Sequence, residues 1–196
     1  MALPSRTVFE GTIGAVYNVP GVTRVNGVDN DTSVTDANGI TANKVALVVE
    51  GGASISVAGA IAAKKGPGGG TFGVLATTVL NIYGIPTTIR FSRPTYRAIT
   101  GAIGVKALTG YTAAIGEDIQ EAVSNYINGL QIGGGVGQAV EWADAITAAN
   151  SVGGGVTYKI TSLTLTGPAG PGTPDVPLAY NQAAQTTPAA IVLTVT

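Results

Sequence analysis

The chain has 196 residues, enough for one large domain or two small ones, each with its own core. Its composition is 45% hydrophobic and only 11% charged, with net charge −1 and mean hydropathy +0.35, a balance that excludes intrinsic disorder and predicts a chain that collapses and packs. Histidine and cysteine are both absent, which removes Ser-His-Asp triads, Cys-His pairs, imidazole bases and soft-metal sites from the available chemistry.

Thr7-Val8-Phe9-Glu10 fits a capping box and predicts a short helix to about Tyr17, with Ile13 and Val16 on its apolar face. Val19-Pro20-Gly21 stops that helix. Alternation from Val22 to Asn26 then predicts a strand before the polar stretch Asp29 to Asn38 and a turn at Asn38-Gly39. The continuous apolar run Val45-Ala46-Leu47-Val48-Val49, within Lys44 to Glu50, predicts a central strand covered on both faces. Ser54 to Lys65 places Val57, Ala58, Ile61 and Ala62 on one helical face, with lysines in the last turn and Gly66 after it. Gly73 to Asn81 and Thr87 to Phe91, separated by the turn Tyr83-Gly84-Ile85-Pro86, predict a hairpin.

Pro94 breaks a strand ladder, and a Thr/Ile/Val-rich segment from Tyr96 to Leu108 starts afresh. A domain boundary is therefore expected after Ser92, giving domains 1–92 and 93–196. Ile115, Ile119, Ala122, Val123, Tyr126, Ile127 and Leu130 fall at helical spacing, with Glu117, Asp118 and Glu121 on the solvent face. A further helix is expected from about Gln138 to Asn150, grouping Ala139, Trp142, Ala143 and Ile146 and making Trp142 a core residue. Strands are expected at Val156 to Leu165 and Ala190 to Val195. Between them, Gly167-Pro168-Ala169-Gly170-Pro171-Gly172 has too few triplets for a collagen helix and reads as a loop. The expected fold class is α+β: two small mixed, sandwich-like domains, each a sheet with helices packed on it.

Candidate chemistry is sparse. Glu117, Asp118, Glu121, Glu141 and Asp144 could supply the facing carboxylate pair of a glycosidase, yet helix solvent faces carry such charges for solubility alone. Asp29, Asp31, Asp36 and Asn38-Gly39 offer oxygen ligands for a hard cation, but their spacing matches no EF-hand and a solvated turn is the better reading. Lys64-Lys65-Gly66-Pro67-Gly68-Gly69-Gly70-Thr71 places its glycines after a helix, the reverse of a phosphate-binding loop, so it reads as a cap and linker. No catalytic, metal or cofactor site is therefore expected. Arg90, Arg93, Tyr96 and Arg97 form the one candidate interaction patch, with plain exposed strand residues an equal alternative. Lys64-Lys65 is the only adjacent basic pair, so direct nucleic-acid binding is not expected. No apolar run approaches the ~20 residues of a membrane span, and Met1 to Glu10 lacks a signal-peptide layout. The weakly charged, Ala/Thr/Val/Gly-rich composition suits a subunit whose faces are covered by neighbours.

Several segments carry a resemblance in their order. They are Asn18-Val19-Pro20-Gly21-Val22, the acidic turn ending Asn38-Gly39, Val48-Val49-Glu50-Gly51-Gly52, and the helix ending Lys64-Lys65-Gly66-Pro67-Gly68. Next come Gly70-Thr71-Phe72-Gly73, and Tyr83-Gly84-Ile85-Pro86 followed by Ile89-Arg90-Phe91-Ser92-Arg93-Pro94. Tyr126-Ile127-Asn128-Gly129-Leu130, Ile132-Gly133-Gly134 and Ile160-Thr161-Ser162-Leu163 complete the series. In this order and spacing the chain resembles the baseplate J-like family of tailed phages. The resemblance implies a wedge subunit of a contractile-tail baseplate, located in the virion, that joins other wedge subunits and copies of itself in a ring around the tail hub. It implies transmission of rearrangement when the sheath contracts, and no active site or cofactor. Members of that family carry a further amino-terminal region, so this chain looks like a fragment or a shortened relative. A carbohydrate-active tail enzyme and a receptor-binding adhesin are the alternative expectations.

Overall fold

The computed structural model describes residues 8–66, 68–81, 83–134 and 137–196; Thr7 of the expected capping box and Pro67 of the glycine-rich segment lie outside them. The fold is α+β, and the chain divides into two compact units, Met1–Pro94 and Thr95–Thr196. The division falls two residues beyond the expected boundary. Arg93 belongs to the first unit because its guanidinium is bonded to carbonyls there.

In the first unit, α1 (Val8–Tyr17) leads into β1 (Val22–Asn30), which pairs antiparallel with β2 (Lys44–Gly51). Ala46 to Val49 are all buried, as the unbroken apolar run requires, and β2 is the central strand of the order β1-β2-β3. Helix α2 (Ser54–Lys64) buries Val57, Ala58 and Ile61, the face set by their spacing. The glycine-rich segment after α2 is expected as a helix cap and linker. Its end instead forms β3 (Gly70–Phe72), which pairs parallel with Lys44 to Ala46. The hairpin follows as β4 (Leu75–Leu80) and β5 (Pro86–Phe91), antiparallel in register from Leu75↔Phe91 to Leu80↔Pro86. One face of the hairpin supplies Val79, Ile89 and Phe91 to a core that also takes Val16, Leu47, Val49, Val57 and Ile61.

Two glycines make this packing possible. A β-carbon on Gly27 would come within 2.8 Å of the Phe9 ring and 2.9 Å of Ile13, so its absence lets α1 lie flat on β1. Gly51 has φ +75°, and a side chain there would run into the carbonyl oxygen of Gly21, which instead accepts a 2.9 Å hydrogen bond from Gly52 N. The loop between β1 and β2 is held from inside: buried Asn30 donates Nδ2 to Val34 O (2.8 Å) and Ile40 O (2.7 Å), while its Oδ1 accepts from Thr32 N (3.1 Å).

In the second unit the expected strand from Tyr96 to Leu108 is two strands. β6 (Thr95–Ala98) pairs parallel with β12 (Gln182–Gln185), and β7 (Thr100–Ala107) lies in a different sheet. The break is at Ile99, whose side chain is buried and whose N–H bonds Gln185 O. The main sheet has the order β10-β9-β7-β13, with β9 (Tyr158–Gly167) antiparallel and β13 (Ile191–Val195) parallel to β7. Helix α3 (Ala113–Gly129), capped by Thr112 Oγ1 accepting from Ile115 N, lays Ile119, Val123 and Ile127 onto the inward residues Ile103, Val105 and Leu165. On the other side of the sheet, Thr100, Ala102, Lys106, Lys159, Thr161 and Thr164 remain exposed.

The expected helix from Gln138 starts later. Ala139–Val140 form β8, antiparallel to β11 (Val176–Pro177), and the helix proper is α4 (Trp142–Asn150). Ala139 is therefore buried in a strand rather than on a helix face. Trp142 is half-buried against the core, and its indole Nε1 donates to Leu163 O at 2.8 Å. The Gly167 to Gly172 segment is no open loop but the tip of a tight hairpin, with β10 (Gly170–Pro171) folding back so that Gly170 pairs with Gly167.

Candidate functional site

The expected patch of Arg90, Arg93, Tyr96 and Arg97 resolves into residues with different jobs. Arg90 and Arg93 belong to the first unit, Tyr96 and Arg97 to the second. Arg93 is an internal staple. Its Nη1 donates to Val49 O (3.1 Å) and to Gly51 O, and its Nη2 donates to Gly52 O (2.7 Å) and Ser54 Oγ (3.1 Å). The guanidinium also lies 5.3 Å over the Phe91 ring. Arg90 is exposed on the outer face of β5, where its backbone N–H bonds Thr71 Oγ1 at 2.8 Å. Tyr96 is 51% exposed on β6.

Arg97 is half-buried and lines a cleft of about 430 Å³ within the second unit. The cleft is also lined by the tip of the β9–β10 hairpin and by Val176, Pro177 and Leu178. Three further polar side chains, Thr173, Asp175 and Gln182, line it. Asp175 accepts a 2.7 Å hydrogen bond from Trp142 N at the start of α4, and Gln182 Oε1 accepts one of 3.1 Å from Ala179 N. Sequence reasoning missed Asp175, Gln182 and the hairpin wall. The short strands that gather them have no periodicity to read.

The first unit offers a different surface. The free face and end of the β4–β5 hairpin expose Leu80 (69%), Tyr83 (80%) and Ile85 (57%), and Val74 just before it is 87% exposed. Across the strands the outer face continues as Ala76, Thr78, Thr88 and Arg90. A hairpin with one face on a core and a largely apolar and threonine-bearing face in water is the kind of surface that assemblies cover.

Compared with known proteins, the chain matches no family model and no curated sequence.

The carboxylates considered for catalysis stay on helix surfaces: Glu117, Asp118 and Glu121 are exposed on α3 and Asp144 on α4, while Glu141 is half-buried just before α4. Asp36 builds its own turn by accepting from Asn38 N (2.9 Å) and Ile40 N (2.8 Å). Among the described residues, no three carboxylates converge as a metal site would require. No helix there is long and apolar enough to cross a membrane.

Burial has a chemical consequence at the junction of α3 and α4. The Tyr126 hydroxyl donates to Glu141 O and accepts from Glu141 N, both at 3.2 Å. Desolvation pushes its pKa from 10.0 up to about 12, partly opposed by the backbone bond and reinforced by the Asp144, Glu141 and Asp175 charges. Burial raises Tyr158 as well. For an acid whose folded pKa is raised, the stabilisation is fully present below the unfolded value and is lost as pH rises toward the folded one. Stability against urea should therefore fall between pH 10 and about 12, and Tyr126→Phe should flatten part of that fall. An unchanged slope in Tyr126→Phe would remove Tyr126 as its source.

Proposed function

We propose that the protein is a non-catalytic structural subunit of a phage-type contractile-tail baseplate, or of a related injection machine, acting as a wedge component among other wedge subunits and copies of itself. The observation that carries this reading is the β4–β5 hairpin, whose free face and end set Leu80, Tyr83 and Ile85 in water, with Arg90 on the same face at the other end of the strands, opposite Ala76. Such a surface favours a neighbour over solvent. The 11% charged composition and the open threonine-bearing face of the second unit's sheet support the same conclusion. The ordered resemblance of the sequence segments is what selects a baseplate wedge among possible assemblies.

The test is immunogold electron microscopy of tailed particles or injection machines from the source lysate, with antibodies raised against this chain. Label is expected only at the distal end of the tail. Label along fibres, or intact particles without label while the protein stays in the supernatant, would overturn the wedge role.

A further inference from the structure

We propose that the cleft of the second unit is a docking site for an extended acidic segment of a partner protein, with Arg97 holding the partner's carboxylate. The inference does not depend on the wedge reading. Arg97 is fixed in place by the parallel pairing of β6 with β12, in which it sits opposite Ala184. The residue is half-buried, and its guanidinium makes no hydrogen bond or ion pair with another described residue. Arginine is normally kept in a concave, partly buried place by planar acceptors that engage its fork of donors. Here none of the described residues supplies one.

Of the other polar side chains in the lining, Gln182 keeps donors for a ligand. Gln182 has its Oε1 engaged by Ala179 N, which leaves its amide hydrogens. Asp175 also lines the cleft, but its Oδ1 accepts from Trp142 N at the α4 amino terminus, where the helix dipole offsets its charge. An acceptor with full negative charge, a carboxylate, fits an unpaired guanidinium beside a free amide.

The walls select a peptide over a free ion. Pro171, Val176, Pro177 and Leu178 are apolar and give a hydrated inorganic anion nothing in exchange for its water. β10 and β11 are edge strands of their sheets, so they carry backbone groups outside any ladder. Pro171 and Pro177 have no N–H, so these edges offer mainly carbonyls, the partners that a peptide's own N–H groups need. A volume of about 430 Å³ takes a Glu or Asp side chain together with the adjoining backbone.

The experiment is a ¹⁵N–¹H NMR titration of the full chain with N-acetyl-Gly-Glu-Gly-amide, its Gln analogue, and acetate. The Glu peptide should shift the amides of Gly170, Val176 and Gln182, and bind at least about tenfold more tightly than the Gln peptide, as expected for a charge-assisted pair. Arg97→Gln should lose that preference while keeping the spectrum of the folded protein, because Arg97 has no internal bond to give up. Ala169→Trp, at the exposed hairpin tip, should weaken binding by filling the mouth without touching any charge. Equal binding of both peptides, binding that survives Arg97→Gln, or no shift at millimolar peptide would each overturn the proposal. Acetate reproducing the full shift pattern at the same concentration would overturn the peptide assignment in favour of a small carboxylate. Each of these outcomes is separate from the particle-labelling result.

Discussion

Replacing Tyr158 with alanine is expected to destabilise the second unit by about 3–5 kcal/mol, the usual range for deleting a buried aromatic ring. Tyr158 is 1% exposed at the start of β9 and sits in the main core of that unit. Its ring meets Tyr111 edge-on, centroids 6.5 Å apart at 68°. Its hydroxyl lies 2.6 Å from Ala149 O, in the last turn of α4, and 2.9 Å from Val152 O, in the 3-10 turn that follows. Ala149 O is among the last carbonyls of α4, which lack an intrahelical N–H, so the tyrosine closes the end of the helix while filling the core beneath it. Tyr158→Phe keeps the ring and loses only the hydroxyl, for an expected cost of about 1–2 kcal/mol. The measurement is urea unfolding followed by Trp142 fluorescence, since Trp142 is the chain's only tryptophan and belongs to this unit. Equal losses in the two variants would mean that the hydroxyl, and not the ring, carries the stabilisation.

What the sequence made legible follows a physical rule. Long elements with an internal period were readable: the apolar stripe of α3, the unbroken run of β2, the lysine-ended face of α2, and the β4–β5 hairpin with its Tyr83-Gly84-Ile85-Pro86 turn. In each, local spacing already determines which side is buried. Elements defined by distant pairing were not. β8 and β11 are two residues each and exist only because Ala139 meets Pro177 and Val140 meets Val176. The Ala139, Trp142, Ala143 and Ile146 spacing extended a real helix one turn too early, because Gln138 has φ +51° and Glu141 is extended, both set by that long-range contact. The split of the Tyr96–Leu108 segment at Ile99 likewise depends on β12 and β13 arriving from the far end of the chain.

The candidate site divides in the same way. Four residues close in sequence suggested one patch, but side-chain destination is a tertiary property. Arg97 faces a cleft whose other walls lie between residues 167 and 182, and nothing in the local sequence announces them. Exposure of Leu80 was equally hidden, since an apolar residue in a strand pattern reads as buried until the partner face is known, whereas Tyr83 and Ile85 stand in water as their turn position implies.

Arg93 is the clearest case of a residue whose type suggested recognition and whose surroundings give it a structural role. Arg93→Ala is expected to cost the first unit about 3 kcal/mol, because hydrogen bonds from a charged donor are worth roughly 1.5–3 kcal/mol each where water is excluded and less where it is not. The loss would be felt at the turn after β2. Val49 O, Gly51 O and Gly52 O converge on one guanidinium there, and the positive φ of Gly51 and Gly52 turns the chain so that they can. Arg93→Lys should recover only part of the stability. An ammonium keeps the charge, but it cannot span three carbonyls and Ser54 Oγ with the fixed fork that the planar group provides. Hydrogen exchange is the discriminating readout: amides from Leu47 to Ser54 should lose protection in Arg93→Ala, while those of α3 in the second unit keep theirs. If Arg93 instead served a partner, Arg93→Ala would leave the isolated chain as protected as before, and the staple would have to be abandoned.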